Sequence, residues 1–177
     1  MTGHPPSPVP EGLERLLRRP DGDIRFGLET EIALLEALGR PDRAFASIHV
    51  AGTNGKGSVC AMVESVLRAA GHRTGLYSSP HLVRFHERIR VEGRPVDDDE
   101  LVKLFQDVER CEQAVAQTSD YRTATPFEFT TAIAFEHFRR SGVQVAVLET
   151  GLGGRLDATN VVTPQVVVIT RIDLDHT

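Results

Sequence analysis

"HVAGTNGKGS", His49 to Ser58, sets three glycines around a lysine directly after a short apolar run. The chain has only two lysines, Lys56 and Lys103, against eighteen arginines, and one of the two stands among glycines. A strand, a glycine loop and then a helix is an arrangement that binds phosphate. Glycines let the backbone wrap closely around the anion, and the amides of the loop and the helix start point at it. Lysine reaches the outer phosphates as a compact point charge on a flexible stem, where arginine's planar fork substitutes poorly. The spacing departs from the common phosphate loop, G-x-x-x-x-G-K-[ST]. In Gly52-Thr53-Asn54-Gly55-Lys56-Gly57-Ser58 an extra glycine separates the lysine from the hydroxyl. Two readings follow. In one, the segment is a glycine turn and Ser58 is only the N-cap of the next helix. In the other, Thr53, Asn54, Gly55, Lys56, Gly57 and Ser58 hold a nucleotide's phosphates, and the Ser58 hydroxyl also reaches a magnesium ion.

Outward from the loop, "ASIHVA" reads as the buried strand before it and Ser58 to about Ala70 as the helix after it, stopped by Gly71. "TGLYSS", Thr74 to Ser79, reads as a second strand, and "PHLVRFHERIRVEGRPV" as a long loop with a little strand in it. Asp97 to Asp99 supply negative charge ahead of a helix running to about Gln117, matching its positive end. Thr125, Pro126 and Glu128 are the N-cap, first residue and capping-box acid of another helix. "VQVAVL" (Val143 to Leu148) and "QVVVIT" (Gln165 to Thr170) are further strands. Upstream, helices are expected around Glu11 to Arg19 and around Leu28 to Leu38. In the second, Leu28, Ile32, Leu35 and Leu38 form the apolar stripe, and Gly39 and Pro41 end it. Residues 1–10 carry four prolines and read as a disordered arm. Apolar strands alternating with helices give an α/β fold: a phosphate-loop, mostly parallel sheet flanked by helices on both faces. No internal repeat is present.

The totals bound the partners. The chain has 177 residues, a net charge of -5 and 40% hydrophobic residues, which suits one soluble domain. Mild acidity gives no general footprint for nucleic acid. No apolar run is long enough to span a bilayer, and "MTGHPPSPVP" has no signal-peptide pattern, so the expected setting is the cytoplasm. Cys60 and Cys111 lack metal-ligand spacing and read as reduced thiols.

Glu149 closes a buried strand, at the edge of an open parallel sheet where ligands bind. A carboxylate there can hold magnesium beside bridging phosphates, or it can simply be satisfied by nearby amides. His176 stands just past the next strand, on the same edge; histidine is an unusual magnesium ligand, and a plain surface role is the alternative. "GLGGRLDATN" is a second glycine-rich loop, read either as a flexible connection or as backbone passing close to a ligand. "SSPHL" starts a loop able to fold over substrate, although Ser79-Pro80 favours a turn on its own. Beyond it, Arg84 and Arg88 are candidates for meeting carboxylates.

"HVAGTNGKGS", "YSSPHLVRFHERIRVEG", "FEFTTAIAFEHF", "VLETGLGGRLDATN" and "ITRIDLDHT" occur in an order and spacing that resemble the folylpolyglutamate synthase/dihydrofolate synthase family, within the wider group of Mur-type amide ligases. The resemblance runs from about Leu28 to Thr177. It implies ATP and magnesium as cofactors, with Lys56, Glu149 and His176 catalytic and with Ser58, Ser79, Glu149 and His176 around the metal. It also puts Leu156, Asp157 and Ala158 along the pterin side, Asp157 being a partner for the pterin's N–H groups. Thr125 is implicated there too, although its capping box explains it equally. The implied reaction joins L-glutamate to dihydropteroate or a reduced folate through an acyl phosphate, on a monomer without nucleic-acid or membrane partners. It implies further that residues 11–177 are the N-terminal part of an ATP-binding ligase domain, without the C-terminal domain and unable to complete the reaction alone. Rival expectations are another Mur-type ligase, a different phosphate-loop kinase or NTPase, and an inactive nucleotide-binding module. The first is opposed by the short chain before the glycine loop, the second by the glycine between Lys56 and Ser58.

Overall fold

The structure is a computed structural model, and it describes residues 14–16, 27–117 and 121–173. The expected arm at residues 1–10, most of the expected first helix, and His176 lie outside the described residues. Six strands, β1 (Ala46–Ala51), β2 (Thr74–Tyr77), β3 (Ile89–Val91), β4 (Arg94–Pro95), β5 (Val145–Glu149) and β6 (Val166–Ile169), form one sheet in the order β4-β3-β2-β5-β1-β6. β2, β5, β1 and β6 run parallel, while β3 and β4 add an antiparallel edge. The helices are α1 (Glu29–Ala37), α2 (Lys56–Ala69), α3 (Asp98–Ala116) and α4 (Pro126–Arg140).

Strand side chains alternate between the two faces, and each face has its own core. On one face Tyr77, Ala146 and Leu148 meet Phe129, Ile133 and Phe138 of α4, with α1 and α3 behind. On the other, Ile48, Val50, Leu76 and Val147 pack on Cys60, Val63 and Leu67 of α2. Phe129, Phe135 and Phe138 are fully buried, each contributing about 1.5–3 kcal/mol on transfer from water. Gly75 makes room for one of them, since a Cβ there would stand 2.9 Å from the Phe138 ring.

Asp97 caps α3 by accepting from Glu100 N, and the Thr125–Glu128 capping box opens α4, as their residue types require. Four points refine or correct the expectations. First, the stretch after Ser79 is the expected loop with a little strand in it. Phe85–Arg88 is a 3-10 turn, and β3 and β4 form a hairpin whose two turn residues, Glu92 and Gly93, both have positive φ (53 and 74°). That is the mirror-image turn that suits strand twist, here written with glutamate where asparagine or aspartate is usual. Second, α2 starts at Lys56 behind Gly55 as N-cap (φ 84°), so Ser58 is the third helical residue and not the cap. Third, α1 buries Thr30, Glu31, Leu34 and Leu35; of the expected stripe Leu35 is buried and Leu38 packs against the core, while Leu28 and Ile32 are only half-buried. These positions still lie on one side of the helix, rotated from the expected stripe because that side meets α3, α4 and the 158–161 turn. Fourth, cover on both faces holds for β1, β2 and β5 but not for β6, where Val167 and Ile169 are 56 and 65% exposed. Among the described residues no helix is long and apolar enough to cross a membrane.

Candidate functional site

Three loops leave the carboxyl ends of adjacent parallel strands: 52–55 from β1, 78–84 from β2 and 150–158 from β5. In the first, Gly52 has φ 131°, and a Cβ there would run into Thr170. The amides of Thr53 and Asn54 donate to Arg171 O at 2.9 and 3.3 Å. The donors left for a phosphate are therefore those at the start of α2, where no side chain caps the helix. Lys56 folds back over its own loop and donates from Nζ to Gly52 O (2.8 Å) and Thr53 O (3.3 Å). Ser58 is exposed on the first turn.

Glu149 belongs to this group because of strand parity. Val147 packs under α2, so the side chain two residues on faces the same way and ends beside the helix start. A Cβ on Gly57 would lie 3.5 Å from Glu149 Oε2. That oxygen accepts from Ser79 N at 3.1 Å, which links the second loop to the first. Burial pushes the Glu149 carboxyl up, against the downward pull of the Ser79 amide, the Lys56 ammonium and the Gly57 amide. Lys56, Gly57, Ser79 and Glu149 are thus one cluster. Its oxygen groups, the Glu149 carboxylate and the Ser79 hydroxyl, are of the kind that suits a hard cation such as magnesium, which takes its other ligands from phosphate and water; Ser58 stands exposed one residue on from Gly57. Among the described residues no group of three or more His, Cys, Asp or Glu side chains could hold a metal by itself.

Beside this cluster lies a cleft of about 780 Å³, lined by Ser79, Pro80, Arg88, Arg122, residues 125–128 and residues 151–158. It brings together Thr125, Leu156, Asp157 and Ala158, which sequence reasoning selected, and adds Phe127, Arg122 and Arg155, which it missed. The ring of Phe127 tilts against Tyr77 at 5.9 Å and fills the space a side chain on Gly151 would need, 2.6 Å from its Cβ position. Only the periodicity of α4 could have flagged it, and a second-position residue of a helix carries little of that signal. Arg122 is paired with Glu128 (3.0 Å), which also accepts from Thr125 N (2.8 Å). Arg88 donates to His81 Nδ1 (2.9 Å) at the cleft wall, whereas Arg84 turns to Asp98 (3.3 Å), away from the cleft lining.

Asp157 lines the cleft with its carboxylate already engaged. Oδ2 accepts from Gly151 N (2.8 Å) and Leu152 N (2.9 Å); Oδ1 accepts from Thr159 N (3.0 Å) and the Thr159 hydroxyl (2.5 Å). Four donors occupy its acceptor positions, so Asp157 shapes the loop that a ligand would meet.

Residues 50–177 match the Mur ligase middle domain. The dihydrofolate synthase/folylpolyglutamate synthase of Bacillus subtilis is 42% identical over 160 residues, which cover 88% of this chain and 37% of that protein. The folylpolyglutamate synthase of Lacticaseibacillus casei is 44% identical over 145 residues, covering 82% of this chain and 34% of that protein. A solved folylpolyglutamate synthase in complex with AMPPCP and folate superposes with a TM-score of 0.89 at 41% identity, covering 94% of this chain and 41% of that one. The Mycobacterium tuberculosis folylpolyglutamate synthase complexed with ADP and AMPPCP gives a TM-score of 0.87 at 39% identity, covering 96 and 37%. The chain thus spans about two fifths of these proteins' length.

Proposed function

The chain belongs to the Mur ligase family, in its folylpolyglutamate synthase/dihydrofolate synthase branch, and we propose that it serves an ATP-dependent amide ligase that adds L-glutamate to dihydropteroate and/or reduced folates. The observation that carries this reading is the cluster of Lys56, Gly57, Ser79 and Glu149 at the mouth of the cleft lined by 151–158. A carboxylate does not react with an amine unaided at neutral pH. The γ-phosphoryl of ATP is transferred to the substrate carboxylate, giving an acyl phosphate and ADP. The glutamate amine then attacks the acyl carbon and phosphate leaves.

In this scheme the chain's own residues position and neutralise charge. The amides of α2's first turn hold the β and γ phosphates. Lys56 exchanges its bonds to Gly52 O and Thr53 O for phosphate oxygens. The cleft holds the pterin end against Phe127, with Thr125, Leu156, Asp157 and Ala158 along it, so that the acid end faces the glycine loop. Magnesium would be held by Ser58, Ser79 and Glu149, with His176 as the further ligand that the resemblance implies, and would supply positive charge beside the triphosphate. The setting that accompanies this reading is the cytoplasm, with a monomer acting on small molecules.

The test is Lys56→Ala in the complete ligase, read by ATP turnover in the presence of pteroate and glutamate. Turnover falls by orders of magnitude if Lys56 carries the phosphate contact; unchanged turnover refutes the assignment. The chain's coverage of two fifths of its relatives favours a second reading for these residues alone, a module that binds nucleotide without ligating. Nucleotide titration with and without magnesium, beside a phosphate-release assay on the same sample, separates the two.

A further inference from the structure

His49 sits on the face of β1 opposite α2, only 4% exposed. Its Nε2 lies 2.7 Å from Thr159 Oγ1. Thr159 is itself fully buried and donates its hydroxyl proton to Asp157 Oδ1 at 2.5 Å. A hydroxyl has one proton. Having given it to Asp157, Thr159 can only accept from the imidazole, which places the ring proton on Nε2. Asp157 in turn receives the amides of Gly151 and Leu152 with its other oxygen. Three side chains thus tie β1, three residues before Gly52, to the backbone that lines the cleft. Loop 151–158 also comes close to the end of β1, since a Cβ built on Gly154 would lie 3.9 Å from that of Ala51.

We propose that His49 is a positioning residue for the cleft: through Thr159 and Asp157 it fixes loop 151–158 against the glycine loop. Ligand chemistry then inherits the spacing between the two loops. What His49 contributes is one buried N–H donor. Glutamine can offer an N–H at a similar reach, and leucine fills similar space with none. Losing the donor leaves the Asp157–Thr159 pair intact but unanchored, so loop 151–158 loosens while β1 stays folded. Only the identity of the cleft's occupant rests on the ligase reading; the tie does not.

The experiment compares wild type, His49→Leu and His49→Gln in the 177-residue chain. Amide hydrogen exchange is followed at Gly151 and Leu152, with Val59, whose amide donates to Gly55 O inside α2, as the internal control. In His49→Leu the two loop amides exchange about tenfold faster, as the loss of one buried hydrogen bond predicts. Val59 is unchanged, and His49→Gln restores wild-type rates. Equal rates at Gly151 and Leu152 in all three proteins, or a matching acceleration at Val59, overturns the proposal, as does failure of glutamine to restore them. Titration with dihydropteroate and with AMPPCP gives the second arm. His49→Leu weakens the first about tenfold and leaves the second unchanged; equal dihydropteroate affinity overturns the proposal. If the wild-type chain binds no dihydropteroate, the exchange comparison alone decides the tie, and the ligase reading is left to the complete enzyme.

Discussion

Replacing Glu31 with leucine should stabilise the protein, and increasingly so as pH rises. Glu31 lies on α1 with no exposed surface, and among the described residues neither carboxyl oxygen has a hydrogen-bond partner. Burial, then the charges of Glu128, Asp157 and Asp42, holds its carboxyl well above the usual range. Two of those neighbours hold a cation each, Arg122 on Glu128 and Arg40 on Asp42. A buried polar group without a partner costs about 1–3 kcal/mol, which sets the stabilisation expected of Glu31→Leu at a pH low enough for the folded and the unfolded carboxyl both to keep their proton. In a chain of this size each kcal/mol moves the midpoint by roughly 2–4 °C. The sign with pH follows from linkage. The unfolded chain releases the Glu31 proton in the ordinary carboxyl range, whereas the folded chain keeps it to higher pH. Folding between those limits therefore takes up a proton, and wild-type stability falls by about 1.4 kcal/mol per pH unit from this residue alone. The loss begins above the unfolded pKa and is complete above the folded one. The leucine variant lacks that slope. Urea denaturation of both proteins from about pH 5 to about pH 8 reads the difference directly. Parallel stability curves, or a leucine variant weaker at every pH, would refute the burial argument.

Two further outcomes follow from the site. Gly151→Ala drives a Cβ to 2.6 Å from the Phe127 ring, and a displaced Phe127 narrows the cleft. Titration should show weaker dihydropteroate binding with AMPPCP affinity intact, and undiminished pteroate affinity would deny Phe127 its place as cleft wall. For Glu149, burial raises the carboxyl's pKa, and the group must lose its proton to hold a cation. The gain in nucleotide affinity on adding magnesium should therefore rise as pH increases through the weakly acidic range and be absent in Glu149→Gln; a pH-independent gain in both proteins rules the carboxylate out.

What the sequence made legible was whatever local chemistry decides. β1 occupies the six residues that its apolar run marks, and the Thr125–Glu128 box forms because a threonine oxygen and a glutamate carboxylate satisfy amides within one turn. Glu149 could be assigned to the ligand edge because strand ends in parallel sheets are where ligands sit. The rest depended on partners distant in the chain. Asp157 looked free to bind a ligand until its loop curled back to supply Gly151 and Leu152. Thr53 and Asn54 looked available to phosphate, yet Arg171, over a hundred residues on, takes both amides. Glu31 lies outside the Leu28/Ile32/Leu35/Leu38 stripe that the residue types mark, and it is buried because the inward side of α1 is rotated toward Thr30, Leu34 and Leu35.

β5 runs between β2 and β1 in a fixed pairing, Leu148 opposite Tyr77 on one side and Glu149 opposite Val50 on the other. One peptide's worth of slippage along that strand would carry the carboxylate through to the aromatic side, among the phenylalanines, and turn a leucine toward the lysine. Sensitivity to change is therefore inverted. Side chains at the rim can be exchanged singly with graded loss, while deleting one valine from the greasy stretch Val145–Leu148, remote from any bound molecule, would dismantle the whole arrangement at once.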